Sequence, residues 1–433
     1  MIHEFKAENF LSFRDEATLS FEASKDDYMA DRHVVEVARD VRLLRLAVVY
    51  GANASGKSNL LEGLETLRTF LFDRKSDLDE PTGFIPFLLD TETPTKPSKF
   101  ELKFWVDDKK YWYMLEVDRK QVYSEKLFYY KSTQPTMLFT RLLENGQSVI
   151  KFNPQAVKVS NVVLEEISLK CLPNMSFFAA RNRVNCSLPL IDAARDWMKK
   201  GLMPIIRPGS RMFQYAGSKM QENEDLKKYL LEFMRKADSN ITNINVEKEN
   251  VQLPGFIRDA VSADKDMPES TKEKLLAENT FSMMKAIFEH TVHNKRGLER
   301  YVLPIEMQSD GTQRVLGLEA ALYRAMNNGK FIFIDEMESS LHPDLLELVV
   351  KEFLEKKGRS QLIFTTHYDP LLNTVDDEIL RKDSVLFTEK DEAGNTRLYP
   401  LTDFRRLNKI SSFQKSYRSG LFGATPNIHK VEE

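Results

Sequence analysis

"GANASGKSN", residues 51–59, follows the apolar run "LLRLAVVY" and leads into "LLEGLETLRTFLFDR". The first eight of these residues fit G-x-x-x-x-G-K-[ST] in full. The apolar run reads as a strand, and Leu60, Leu61, Leu64, Leu67, Phe70 and Leu71 recur at helical spacing, so the local order is strand, loop, helix. In that setting Gly51 and Gly56 let the backbone close tightly around an anion. The amides of Asn53, Ala54, Ser55, Gly56, Lys57 and Ser58 then point inward at the positive end of the helix, with Asn59 in its first turn. Lys57 would place a point charge on β- and γ-phosphates, and the Ser58 hydroxyl would hold Mg²⁺.

A phosphate loop of this kind needs an acidic partner, and "FIFIDE" (331–336) ends a short apolar strand in Asp335 and Glu336. Asp335 is the second candidate metal residue, acting through water. Glu336 is the candidate that orients and deprotonates an attacking water. "TTHYDP" (365–370) follows the next apolar strand and puts His367 at the carboxyl edge of the same sheet, where open α/β sheets bind ligands. "SDGTQR" (309–314) stands before a helix: a plain helix cap by Ser309 or Asp310 is the favoured local reading, and Ser309 and Gly311 could also present a hydroxyl and amides as a second anion site.

The chain has 433 residues, 42% of them hydrophobic, enough for one large domain with an insertion or for two to three smaller ones. The 62 Lys and Arg nearly balance the 65 Asp and Glu, so net charge neither favours nor excludes nucleic acid. Cys171 and Cys186 form no disulfide framework, and no apolar run is long enough to span a membrane, so a cytoplasmic location is expected. The basic stretch 405–418 reads first as a solvated helix face and otherwise as a docking segment for nucleic acid or an acidic partner, with Arg181 and Arg183 a weaker basic candidate.

Residues 1–97 read as the first part of an ATPase core and 98–186 as an antiparallel β-subdomain with turns at "DDK" and "ENG". Residues 187–298 read as a mainly helical insertion holding one probable strand, "ITNINVEKE". Residues 299–390 read as the second part of the core, and 391–433 as a tail suited to partner docking. The expected fold class is α/β: a P-loop ATPase head with a mixed central sheet, an inserted antiparallel β-subdomain and a helical subdomain.

The order of P-loop, "SDGTQ", "FIFIDE", "SSLHP" and "TTH" resembles the ABC-type ATPases of the SMC, RecF and OLD group. The resemblance implies that Ser309, Gly311 and Gln313 form a signature loop reaching the γ-phosphate of a neighbouring copy, and that "ESSLHP" (338–343) crosses the dimer. Two chains would thus sandwich two ATP molecules, each with Mg²⁺, as a homodimer or higher homo-oligomer. "NFLSF" (9–13), "PFLLD" (86–90), "KADSNITNINV" (236–246) and "YRSGLFGATP" (417–426) are similar to prokaryotic defence ATPases of the RloA and abortive-infection AbiL type. That likeness implies an anti-phage switch controlling a nuclease or toxin encoded in the same operon, with DNA or a phage protein as further candidate contacts and no membrane. The signature departs from the transporter "LSGGQ", and residues 368–433 show no second acidic cluster, so a nuclease would act in trans. The rival readings are a RecF-like DNA repair ATPase and a nucleotide-bound scaffold that sequesters a toxin with little turnover.

Overall fold

The computed structural model describes residues 1–210, 212–237, 240–264, 267 and 269–426. They form two compact units, the first made of Met1–Pro208, Ala325–Ser339 and Leu346–Glu433, the second of Gly209–Arg324 and Ser340–Leu345.

The first unit is built on two large sheets. In chain order its strands are β1 (Ile2–Glu8), β2 (Ala17–Ser20), β3 (Val34–Ala38), β4 (Val41–Leu44), β5 (Leu46–Gly51), β6 (Ser98–Val106), β7 (Lys109–Val117), β8 (Val122–Tyr130), β9 (Pro135–Glu144) and β10 (Gln147–Phe152). β10-β9-β8-β7-β6-β1-β2 is one antiparallel sheet, so the 98–152 meander continues directly into β1 and β2, while β3 and β4 form a separate hairpin. The alternating burial of β6 and β7 shows why: Phe100, Leu102 and Phe104 on one strand and Tyr111, Tyr113 and Leu115 on the other face a common core, with the less buried Glu101 and Lys103 between them on β6 and Trp112 and Met114 on β7.

The second unit contributes β11 (Ile241–Gln252), β12 (Thr280–Asn294) and β13 (Gly297–Pro304), a three-stranded antiparallel sheet. The first unit resumes with β14 (Phe331–Ile334), β15 (Gln361–Thr365), β16 (Val385–Lys390) and β17 (Thr396–Pro400). These join β5 in the order β14-β15-β5-β16-β17, parallel except for β17. β5, β14 and β15 are buried along their whole length, as parallel strands covered on both faces must be. Because they run the same way, Gly51, Asp335 and Thr366 all fall at one edge.

The helix Lys57–Phe70 presents Leu60, Leu61, Leu64, Leu67 and Phe70 to a core shared with Phe5 of one sheet and Val49 and Ile363 of the other. Phe10 packs edge to face on Phe84 and Phe100 in that core, and those two rings are tilted on each other, with ring centroids 5.0 to 6.3 Å apart. Gln361 ties the sheets together: its amide nitrogen donates to Ile2 O (2.9 Å) and Leu44 O (3.0 Å), and its oxygen accepts the Ile2 amide at 2.6 Å. Among the described residues Arg45 is buried with no carboxylate partner. It donates instead to the carbonyls of Arg32, Phe353, Leu354 and Lys356 at 2.7 to 3.1 Å, ending the helix Pro343–Glu355, and burial pulls its pKa down to about 10.

Two sequence readings are corrected. The 187–298 region, expected to be mainly helical with one strand, also holds the 15-residue strand "TFSMMKAIFEHTVHN", which pairs with β11 and β13. Arg181 is no docking residue: it is 3% exposed and spends its donors on Val184 O (2.8 Å), Cys186 O (2.6 Å) and Asp192. Among the described residues no helix is long and apolar enough to cross a membrane.

Candidate active site

The loop after β5 is held from behind. A Cβ at Gly51 would lie 2.5 Å from both Ser55 Oγ and Thr388 Oγ1, and one at Gly56 would lie 2.3 Å from Thr396 Oγ1 at a left-handed φ of +105°, so neither position admits a side chain. Ser55 and Thr388 hydroxyls are 2.7 Å apart, and Thr396 Oγ1 lies 2.9 Å from Ser55 O and 2.8 Å from Ser12 Oγ. Asn59 Nδ2 donates to Ser12 Oγ at 2.7 Å. Lys57 folds over the loop, its Nζ donating to Gly51 O (2.8 Å) and Ala52 O (3.0 Å). Burial lowers its pKa to about 8, against the pull of Glu338, Asp335 and Glu336.

Asp335 reaches this loop from the end of β14. Its Oδ1 accepts the Ser58 hydroxyl at 3.0 Å and the Thr365 hydroxyl at 2.7 Å, and the Thr365 oxygen accepts the Glu336 amide at 2.8 Å. One threonine thus fixes both acids. Glu336 sits at φ +46°, a left-handed conformation that a glutamate adopts only when its surroundings impose it. The His367 amide donates to Glu338 Oε1, and Glu338 Oε2 is buried with no hydrogen-bond partner among the described residues. Burial and then Lys57 lower the His367 pKa, with Glu338, Glu336 and Asp335 opposing, so the ring is mainly neutral near pH 7. Gly51, Ala52, Asn53 and His367 line one cavity of about 830 Å³, shared with Tyr417 and Arg418.

The residues named from the sequence fall in two groups. Gly51 to Asn59, Asp335, Glu336 and His367 all lie in the first unit around this edge of the sheet. Ser309, Gly311 and Gln313 belong to the second unit. Ser309 Oγ accepts the Thr312 amide at 3.1 Å as a helix cap, Gln313 Nε2 donates to Ile305 O (3.2 Å) and Gln308 O (3.1 Å), and a Cβ at Gly311 would lie 2.7 Å from Ser340 O. Sequence reasoning missed Thr365 and Glu338, though both stand within two residues of a chosen position. It also missed Thr388 and Thr396, for which no local signal exists, since they meet the loop only through folding.

A phosphate loop closing one parallel strand, with an acidic strand end two strands away, is the arrangement of a P-loop ATPase. Over residues 46–153 and 215–373, more than half of its length, the chain matches the family described as "AAA domain, putative AbiEii toxin, Type IV TA system", and it belongs to that family. It is similar to a Helicobacter pylori (strain ATCC 700392 / 26695) protein named "ATP/GTP phosphatase", 23% identical over 385 residues, 82% of this chain and 86% of the relative. Similar solved structures include the "SMC head domain from Thermotoga maritima" (14% identity, TM-score 0.41, 92% of this chain and 98% of that one). Another is the "Smc head domain with an extended coiled coil bound to the C-terminal domain of ScpA derived from Pyrococcus furiosus" (13% identity, TM-score 0.38, 94% and 98%).

Proposed function

We propose that this chain is the ATP-binding and ATP-hydrolysing switch of a bacterial anti-phage system of abortive-infection type, working in the cytoplasm and controlling a separately encoded effector such as a nuclease. The observation that carries the chemistry is the hydrogen-bonded set Ser58, Asp335, Thr365 and Glu336 at the mouth of the loop. The toxin–antitoxin wording of the family and the name of the Helicobacter relative support the wider reading.

In this reading the triphosphate lies on the amides of 53–58, and the Lys57 ammonium leaves the Gly51 and Ala52 carbonyls for the β- and γ-phosphates. The donor set fits Mg²⁺, a hard cation that takes one or two protein oxygens beside phosphate oxygens and water: the Ser58 hydroxyl and Asp335 carboxylate would hold it, and it would neutralise charge on the phosphates. Glu336 accepts the proton of the attacking water as its oxygen bonds to the γ-phosphorus and the β,γ-bridging oxygen leaves with ADP. The neutral His367 ring offers one donor and one acceptor to orient that water or the γ-phosphate. Ser309, Gly311 and Gln313 would meet the γ-phosphate of a second copy, so that nucleotide closes a dimer and hydrolysis opens it.

Replacing Glu336 by Gln keeps the side chain's shape and removes the base. The Glu336→Gln chain is expected to retain ATP and to sediment as a dimer only when ATP is present, while Lys57→Ala binds none. Hydrolysis by Glu336→Gln at the parental rate would refute the assignment of the base. DNA-stimulated turnover without any partner would favour a repair role, and tight effector retention with no turnover a scaffold.

A further inference from the structure

The segment "YRSGLFGATP", residues 417–426, has no part in the mechanism above, yet it lines the cavity of about 830 Å³ at the start of the phosphate loop. Gly51, Ala52, Asn53 and His367 supply part of that lining, and Tyr417, Arg418, Thr425 and Pro426 supply most of the rest. The segment is fixed by its own packing. The Tyr417 ring stacks on Phe387 with centroids 5.7 Å apart, and its hydroxyl donates to Ala424 O at 3.0 Å, which brings the chain back so that Thr425 reaches the same cavity as Arg418. The turn between them admits no side chain at Gly423, where φ is +62° and a Cβ would lie 2.8 Å from the Tyr399 hydroxyl.

Arg418 is the one lysine or arginine among the described residues that line this cavity. Asp369, two positions after His367, holds it: Nε donates to Oδ2 at 2.5 Å and Nη2 to Oδ1 at 2.9 Å. Gln414, one turn earlier on the helix Phe413–Arg418, donates its Nε2 to the same Oδ1 at 3.0 Å. Among the described residues the Nη1 group makes no hydrogen bond, so the fork is fixed along one edge and open along another. A guanidinium held in this way suits phosphate oxygens, which it can meet with two parallel donors. Its side chain is 64% exposed, so the ion pair contributes little to the fold, and an anion can draw the open edge toward it without disrupting the core.

His367 shows which end of a nucleotide lies here. Burial and then Lys57 lower its pKa, opposed by Glu338, Glu336 and Asp335, so its ring stands among the groups assigned to the terminal phosphate while lining the same cavity as Arg418. Resting on the reading of 51–59 as a triphosphate cradle, we propose that Arg418 binds the terminal phosphate of a nucleoside triphosphate held by its own chain, as a second cation beside Lys57. A diphosphate ends short of this contact, so Arg418 separates ATP from ADP.

The test is equilibrium dialysis of radiolabelled ATP and ADP with Mg²⁺ against the full chain carrying Glu336→Gln, and against the same chain with Arg418→Ala or Arg418→Lys added, over a wide range of chain concentration. Arg418→Ala is expected to weaken ATP by about tenfold to a hundredfold at every concentration and ADP by less than about twofold. Arg418→Lys, which keeps the charge without the fork, should recover part of the loss. Unchanged ATP affinity overturns the proposal. So do equal losses of ATP and ADP, which would make Arg418 only a support for the segment. A loss confined to concentrations at which sedimentation velocity shows self-association also overturns it, by placing Arg418 at a contact between copies. A parent that binds neither nucleotide would refute the cradle reading itself, whereas a parent that binds both, with Arg418→Ala unaltered, refutes the role of Arg418 alone.

Discussion

Ser58 and Asp335 stand 277 positions apart in the chain and share a hydrogen bond of 3.0 Å, the hydroxyl donating to the carboxylate. Neither side chain makes this contact by local structure. It exists because β14 and β5 are parallel members of one sheet with β15 between them, so that a strand end and a helix start from opposite halves of the sequence meet at one edge.

Thr365, on the intervening strand, should matter as much as the acids it holds. Thr365→Val keeps the volume but leaves the Glu336 amide without its acceptor and Asp335 with the Ser58 hydroxyl as its one remaining donor of the two. Losing such a buried partner costs about 1–3 kcal/mol, so ATP turnover should fall by about 10- to 100-fold while nucleotide affinity changes little. Steady-state hydrolysis compared with equilibrium binding separates the two effects, and an unchanged kcat would remove Thr365 from the site.

Gly56→Ala should abolish nucleotide binding. The added methyl meets Thr396 Oγ1 at 2.3 Å and forces a non-glycine residue to φ +105°. Thr396→Ala added to it relieves the first difficulty and not the second, so the double variant should recover binding only in part. Calorimetric titration with ATP checks both, and full affinity in the single variant would show that the loop is not rigidly held.

Binding should weaken in alkali. In the free chain burial lowers the Lys57 pKa to about 8, and phosphates beside the ammonium raise it in the complex. A group whose pKa rises on binding gives its full contribution below the free value and loses it above. Apparent ATP affinity should therefore be level below pH 8 and fall above it, by at most about tenfold per pH unit, with proton uptake on binding. Titrations in buffers of different ionisation enthalpy measure that uptake, and its absence at pH 9 would argue against this placement of Lys57.

Arg45→Ala should destabilise the fold without touching the site. It frees the carbonyls of Arg32, Phe353, Leu354 and Lys356 and opens a cavity beside Phe353, whose ring the guanidinium covers at 5.0 Å. A loss of about 2–4 kcal/mol is expected, read as a lower Tm, with little change in KM for ATP.

How legible this was in the sequence followed the range of the interactions concerned. The loop at 51–59 and the helix after it declare themselves because glycines, lysine and apolar spacing act within a few residues. The strands of the 98–152 meander are equally clear, since alternation is a local signal. β12 was not legible: Met283, Met284, Lys285 and Ala286 suit a helix, and only the neighbouring strands decide otherwise. Thr365 and Glu338 could have been found by asking what positions an acid at a strand end. Thr388 and Thr396 could not, because nothing near them in sequence refers to a loop more than 300 residues earlier.

Those two threonines have a consequence for anyone who would shorten or graft this protein. Thr388 sits over Gly51 and Thr396 over Gly56, so the hollow that receives an anion is shaped on its hidden side by chain made more than 300 residues after it. A fragment ended before residue 388 would keep the whole glycine-lysine motif and emerge from the ribosome with a slack, unsupported version of it. Swapping the β16–β17 stretch between relatives would succeed only where both hydroxyls travel with it.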